Sequence, residues 1–409
     1  MHSKNAAVPF ILITILLDIL GIGLIIPVLP KLVTTMYGGG LSEGSTIFGW
    51  FVASYALMQF VFSPVLGNLS DAYGRRPVIL ISLLGAGLDY LFMAFAPNFT
   101  WLFLGRVISG ITGANITAAN AYIADVSPPE ERAKNFGLIG ACFGVGFIVG
   151  PALGGFLGGY GIRLPFMVAA ALNLCNTLYG FFVLPESHAK ENRRSFDWRR
   201  INPLASLQAL GRYPVVLGLT ATIALDRLAH DSLPSTWVLY TTYRFNWNEV
   251  QNGMSLAMVG IMFAIVQGGL TGKIVGKLGE RKSLITGLTI GAFAYLCYGL
   301  ATQGWMLYAI IVLTSVAGIA GPAVMALITK MVSATEQGAV QGAISSINSL
   351  AAILGPLMAT HLFGYFTSAN APVKLPGAAF LAAAVLVAIG AMLAARSSQV
   401  APTLVTEAS

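Results

Sequence analysis

The chain reads as an all-α membrane protein with twelve transmembrane helices in two six-helix bundles, and three observations predict this. Apolar residues make up 56% of its 409 residues and charged residues only 10%, whereas a soluble domain carries about 25% charge. Apolar stretches near the length that crosses a bilayer recur from end to end. The chain also repeats itself at its midpoint. Gly150-Pro151 returns as Gly355-Pro356, 205 residues on. At the same offset, Gly67-Asn-Leu-Ser-Asp71-Ala-Tyr-Gly74-Arg75-Arg76 returns as Gly272-Lys-Ile-Val-Gly-Lys-Leu-Gly279-Glu280-Arg281.

Spans are expected near 8–30, 46–68, 77–96, 99–122, 134–157 and 164–184, then near 213–236, 248–271, 283–303, 304–331, 338–364 and 375–395. The shortest breaks, at Pro97 and at Gln303-Gly304, fall in corresponding places of the two halves. The first stretch exceeds a signal-peptide core, contains Asp18 and has no A-x-A pattern before Pro27, so it is expected to be a permanent helix. The expected domains are an N-terminal bundle over 1–185, a cytoplasmic linker over 186–212, a C-terminal bundle over 213–396 and a flexible tail over 397–409. The linker is dense in charge (Glu186, Lys190, Glu191, Arg193, Arg194) and is expected to be solvated, or else to rest on anionic lipid. Asn98-Phe-Thr100 matches a glycosylation sequon in a loop too short to favour its use. Membrane chains built from like halves point to a rocking transporter with its site between the halves.

The net charge of +7 does not by itself imply nucleic acid, because its placement matters more. With the N-terminus inside, seventeen of the 23 Lys and Arg residues are cytoplasmic, and only Lys31, Arg163, Arg244 and Lys374 fall outside. That bias places both termini in the cytoplasm. Cys142, Cys175 and Cys297 sit in apolar runs without a CxxC pattern and are expected to be buried and inert.

Six charged groups fall deep inside predicted spans, away from their ends: Asp18, Asp89, Arg106, Asp226, Arg227 and Asp231. Each costs roughly 2.5–3.5 kcal/mol near a helix centre, so they are expected to face a cavity and to pair. Asp18 precedes Gly21, Gly23 and Pro27 on a helix able to bend around a buried carboxylate. It reads as a proton or cation site, or as a structural partner for Arg106. Arg106 stays protonated, so it can act as a switch that holds a carboxylate ionised but not as a proton shuttle. Asp89 is a second candidate partner. In the seventh span Asp226 and His230, and Arg227 and Asp231, stand four residues apart and are expected to pair. This cluster serves structure or gating, or else relays protons through His230, which changes charge near neutral pH. Tyr55, Gln59, Asn115, Asn120, Gln267, Gln341 and Asn348 are intramembrane polar groups expected to line the cavity or to bridge helices.

These residues resemble a known family. Gly67-x-x-x-Asp71-x-x-Gly74-Arg75-Arg76 is similar to the signature of the major facilitator superfamily, and Arg106-x-x-x-Gly110 to its fourth-helix motif. Gly144-Val-Gly146-Phe-Ile-Val-Gly150-Pro151-Ala-Leu-Gly154-Gly155 resembles the fifth-helix motif of its drug/proton antiporters. Asp18 through Pro30, Gly85-Ala-Gly-Leu-Asp89-Tyr90 and Trp237-Val-Leu look like the tetracycline-efflux branch. The resemblance implies a proton-coupled antiporter, with Gly67, Asp71, Gly74, Arg75 and Arg76 in a cytoplasmic gate and Asp18, Asp89 and Arg106 in binding or coupling. The chain also departs from that branch. Phe263 and Gly291 stand where the branch has a histidine and an aspartate, Ala72 replaces a basic residue, and the seventh-span cluster is extra. Asp226 therefore joins the proton-coupling candidates.

The leading expectation is export of an amphipathic small molecule such as a drug, possibly tetracycline-like, against proton entry at a bacterial inner membrane. The alternative is proton-coupled uptake of a nutrient or metabolite. The scattered histidines and the lack of a nucleophile constellation argue against an enzyme. No cofactor, metal or nucleic-acid partner is expected, and a monomer in the bilayer is.

Overall fold

The computed structural model describes residues 3–38, 40–113, 115–196, 214–333 and 336–407, and every regular element among them is helical. In the first half these are α1 (Ser3–Ile25), α2 (Leu29–Tyr37), α3 (Gly40–Tyr73), α4 (Arg75–Phe95), α5 (Phe99–Thr112), α6 (Asn115–Val126), α7 (Arg132–Tyr160) and α8 (Leu164–Val183). The second half has α9 (Pro214–Phe245), α10 (Glu249–Ile265), α11 (Thr271–Leu278), α12 (Glu280–Leu300), α13 (Gly304–Ala317), α14 (Ala320–Met331), α15 (Gln337–Thr367) and α16 (Ala378–Glu407). A π-helical turn, Val266–Leu270, joins α10 to α11. Among the described residues, eleven spans are long and apolar enough to cross a membrane. The twelfth is α9, whose length suffices but which carries Asp226, Arg227 and Asp231.

Several helices end where local chemistry dictates. Pro27 has no N–H to donate, so the first span stops at Ile25 and resumes as α2. The break therefore lies beyond Asp18, which sits in the uninterrupted part of α1. Asn98 caps α5 by accepting from the Trp101 N–H at 3.3 Å, which gives the sequon asparagine a structural task. α16 runs on to Glu407, past Arg396, where a flexible tail was expected. Extending an existing helix is far easier than nucleating one. Cys142 and Cys297 are half-buried and Cys175 is exposed, so the expectation of buried thiols is corrected. The inward stripe of α8 runs through Ala169, Ala170, Asn173 and Asn176, and Cys175 lies off it.

The chain divides into two compact units. Unit 1 comprises Met1–Gly38, Ser54–Asn202 and Trp247–Gly260, and unit 2 comprises Gly39–Ala53, Pro203–Asn246 and Ile261–Ser409. Each unit thus takes in a segment from the other half of the sequence. Within unit 1, α1 packs on α7 and α8, and α4 packs on α8. Within unit 2, α9 packs on α15 and α16, and α12 packs on α16. These are the same three pairings, shifted by the repeat.

The crossing of α1 and α7 shows what the glycines do. Gly146, Gly150 and Gly154 recur every four residues and so share one face of α7. A side chain at Gly146 would meet Ile19, and one at Gly154 would strike the Leu24 carbonyl. At Gly150 an added Cβ would come within 2.7 Å of the Gly23 Cα. Two backbones touch here with nothing between them, which small residues alone permit. The repeat-related crossing in unit 2 is looser. A Cβ on Gly355 would lie 3.1 Å from the carbonyl of Leu228, the residue that stands where unit 1 has Gly23. Overpacking costs about 1–3 kcal/mol, so Gly154→Ala should lower the thermal unfolding temperature in detergent more than Gly355→Ala does. Gly144→Ala, which faces open space, should leave it unchanged.

Candidate functional site

In unit 1 a charged pair is built where three helices meet. Asp89 lies on the buried stripe of α4 with Ser82, Gly85 and Met93. Its Oδ2 accepts from Arg106 Nη1 of α5 at 3.3 Å, with the Asp89 side chain 2% and the Arg106 side chain 13% exposed. The Tyr55 ring of α3 stacks over the guanidinium, 4.0 Å from its carbon, so the charge faces both a carboxylate and an aromatic quadrupole. The Arg106-x-x-x-Gly110 spacing has a physical reason. A Cβ on Gly110 would come within 2.7 Å of the Tyr55 carbonyl, so glycine lets α5 approach α3 closely enough for this stacking.

Asp18 is buried on α1 at 3% exposure. It borders a small pocket with Thr14, Ile15, Ile79, Leu83, Ile116 and Ala119 from α1, α4 and α6. The walls are apolar, so the carboxylate is held away from lipid but among few polar neighbours there. Of the two carboxylates considered for Arg106, Asp89 forms an ion pair with it.

Gln59, one turn along α3 from Tyr55, donates to the Gly113 carbonyl at 2.7 Å. In unit 2, Gln267 donates to the Gly318 carbonyl at 2.9 Å. Asn115 opens α6, and its side chain lies outside the described residues. Gln341 is exposed on α15, while Asn120 and Asn348 are half-buried.

The α9 cluster differs from expectation. Among the described residues, neither Asp226 and His230 nor Arg227 and Asp231 form an ion pair within 4 Å. Buried Arg227 Nε and Asp231 Oδ2 have no hydrogen-bond partner there, and His230 is exposed. The helix surface brings i,i+4 residues near one another but leaves rotamers free to diverge. Gly355 of α15 backs this turn, 3.2 Å from the Asp231 Cβ if a side chain were added. Asp226 is an acidic neighbour of buried Tyr295 on α12. Gly291 is buried on the same helix and Phe263 is exposed on α10.

At the Gly67–Arg76 motif the turn between α3 and α4 needs glycine, because Gly74 has φ 112°. Arg75 then opens α4 and pairs with Asp71, as the i,i+4 spacing implies. It also donates to Ser70 Oγ at 3.2 Å and to Asp125 Oδ2 of α6 at 3.1 Å. Arg76 donates to the Phe181 carbonyl and lies over the Phe181 ring. Gly67, Ser70, Asp71 and Arg75 line a pocket with Thr117 and Ala121 of α6.

The start of the linker, exposed at Pro185, Glu186, Lys190 and Glu191, also bonds to this turn. Glu186 Oε1 accepts from the Arg75 backbone N–H at 2.9 Å and from the His188 N–H at 3.0 Å. It thereby caps α4, whose first N–H groups have no partner inside the helix. The Arg194 N–H donates to the Asp71 carbonyl at 3.3 Å, and Tyr122 Oη to the Pro185 carbonyl at 2.9 Å. Residues 197–212 of the expected linker lie outside the described residues.

Asp125 was not singled out in the sequence, and Glu186 was read only as a linker charge, although a signal for Asp125 exists. Arg75 and Asp125 become Glu280 and Lys330 at the repeat offset, and those two also pair. The same bridge stands in both units with its polarity reversed. On the fifth-helix motif, Gly155 faces away from α1 and meets the Glu249 carbonyl and Gly253 of α10.

Comparison with known proteins gives consistent relatives. The family model described as the Major Facilitator Superfamily matches residues 11–356 and 225–405. The chain is 41% identical to the class C tetracycline resistance protein of Escherichia coli, over 89% of this chain and 91% of that one. It is 30% identical to multidrug resistance protein 2 of Bacillus subtilis, over 89% and 90%. A solved bacterial homologue of the human lysosomal transporter Spinster shares the fold, with a TM-score of 0.79, 17% identity and 98% coverage of both chains.

Two outcomes follow from the geometry. Removing one member of a buried pair strands the other charge at a cost of about 3–5 kcal/mol. Asp89→Asn and Arg106→Gln should each lower the unfolding temperature, and the double variant should be less unstable than their sum. Arg75→Ala should lower it too, whereas Lys330→Ala, whose bridge is far more exposed, should not.

Proposed function

The chain belongs to the Major Facilitator Superfamily, and on that premise we propose that it exports an amphipathic, drug-like molecule in exchange for protons by alternating access. The observation that carries this reading is the buried Asp89–Arg106 pair beneath Tyr55. It sits one helix from Asp18, in a chain similar throughout to tetracycline and multidrug resistance proteins.

A carboxylate in a dry site keeps its charge only while a counter-charge stands by. Arg106 does not give up its proton, so protonation of Asp89 or Asp18 loosens what holds the arginine and lets the surrounding helices shift. Asp226 is a third proton carrier in this reading. Tyr55, Asn115, His230 and Gln341 face the substrate, and the gate at Gly67, Asp71, Gly74, Arg75 and Arg76 closes the cytoplasmic side. The Gly146–Gly155 face of α7 keeps its packed surfaces close enough to seal while they slide. The chain works as a monomer in a bacterial inner membrane, with both termini in the cytoplasm.

The energetics are sufficient. One proton crossing one pH unit supplies about 1.4 kcal/mol, and a potential of 100 mV adds about 2.3 kcal/mol. Together they sustain roughly a 500-fold gradient of a neutral substrate.

The test is a drug-susceptibility panel, tetracycline included, in cells with and without the protein and again after the proton gradient is collapsed. Expression should raise tolerance to at least one amphipathic compound, and uncoupling should cancel the gain. Asp18→Asn should abolish export at every pH; full activity in that variant would remove Asp18 from the mechanism.

A further inference from the structure

Two short helices occupy repeat-related places in the two units. α6 (Asn115–Val126) and α14 (Ala320–Met331) each have 12 residues. Each begins just after a helix break, at Gly113 in unit 1 and at Gly318 in unit 2. A break takes carbonyls out of the i→i−4 ladder, and a carbonyl inside a membrane needs another donor. In both units that donor is a glutamine from two spans earlier in the chain. Gln59 Nε2 reaches the Gly113 oxygen at 2.7 Å, and Gln267 Nε2 reaches the Gly318 oxygen at 2.9 Å. Thr271 Oγ1 lies 3.3 Å from Gln267 Oε1 and 3.0 Å from the Val266 carbonyl, so its one proton is shared between the amide and the backbone.

The far ends of these helices are held as well. Asp125, near the end of α6, bonds Arg75, and Lys330, near the end of α14, bonds Glu280. Each helix is thus a stiff rod held by an amide at one end and a salt bridge at the other. Unlike the ladder inside a helix, a side-chain amide bond tolerates a change of angle, so it retains the rod while the backbone pivots at the glycine. Tyr55, on the same face of α3 as Gln59, stacks on Arg106. The unit 1 rod is therefore mechanically adjacent to the buried charge pair.

We propose that Gln59 and Gln267 are positioning residues for transport: amide clasps that hold α6 and α14 at glycine hinges, so that each swings as one lever between its hinge and its salt bridge. This rests on the alternating-access reading and assigns the two amides to the moving parts rather than to substrate contact.

The experiment uses Gln59→Met, Gln267→Met and the double variant, which keep volume but lose the donor, with Thr271→Val as a milder perturbation of the Gln267 clasp. Export of two compounds of unrelated shape is measured, together with backbone hydrogen exchange by mass spectrometry. Exchange should quicken over 113–121 in Gln59→Met and over 318–326 in Gln267→Met. The maximal rate should fall roughly 3- to 10-fold for both compounds, the change that losing one hydrogen bond produces, while KM stays constant. Thr271→Val should act in the same direction as Gln267→Met, and more weakly. Unchanged exchange overturns the proposal whatever transport does. A rise in KM that differs between compounds also overturns it, by making the amides substrate contacts. Quickened exchange in a protein that exports nothing leaves the clasp standing and removes the export reading instead.

Discussion

Inside a bilayer no water is available to satisfy a stray charge or carbonyl, so each must find its partner within the protein. That constraint organises this chain. Asp89 and Arg106 hold each other under the Tyr55 ring, and the carbonyls freed at Gly113 and Gly318 are taken up by glutamine amides. Where the helices leave the membrane the demand relaxes. Most of the exposed ion pairs, such as Lys330–Glu280, lie at helix ends.

The repeat is kept in architecture and varied in chemistry. Both units pair the same helices, break the same span at glycine and tie the far end of the broken helix with a salt bridge. The bridge survives with its charges exchanged because attraction depends on opposite signs and not on which helix carries which. The α1–α7 crossing is different. Close backbone contact needs glycine on both sides, and replacing Gly23 with Leu228 in the other unit loosens the approach. The tight crossing falls in the unit that also carries Asp18 and the Asp89–Arg106 pair.

The linker shows how a polar stretch acquires structure. Glu186 is drawn to the first N–H groups of α4, and its neighbours then fold over Asp71 and Asp125. A turn that needs φ 112° at Gly74 leaves room for that carboxylate where a side chain would collide with it.

The sequence by itself determined the class of the molecule: twelve spans, two related halves, the glycine turn between α3 and α4 and the buried charges. Hydropathy, glycine spacing and a fixed repeat offset are local properties, and a bilayer enforces them strictly. The helix breaks at Gly113 and Gly318 were hidden, because an isolated glycine inside an apolar run looks the same whether it bends the helix or packs it. Tertiary structure also decided that Asp89 lies against Arg106, that Arg227 and Asp231 do not pair despite ideal spacing, and that Asp125 and Glu186 both bond Arg75. Each of these depends on rotamers and on helices distant in sequence meeting in space, and spacing along one strand of text carries no record of either.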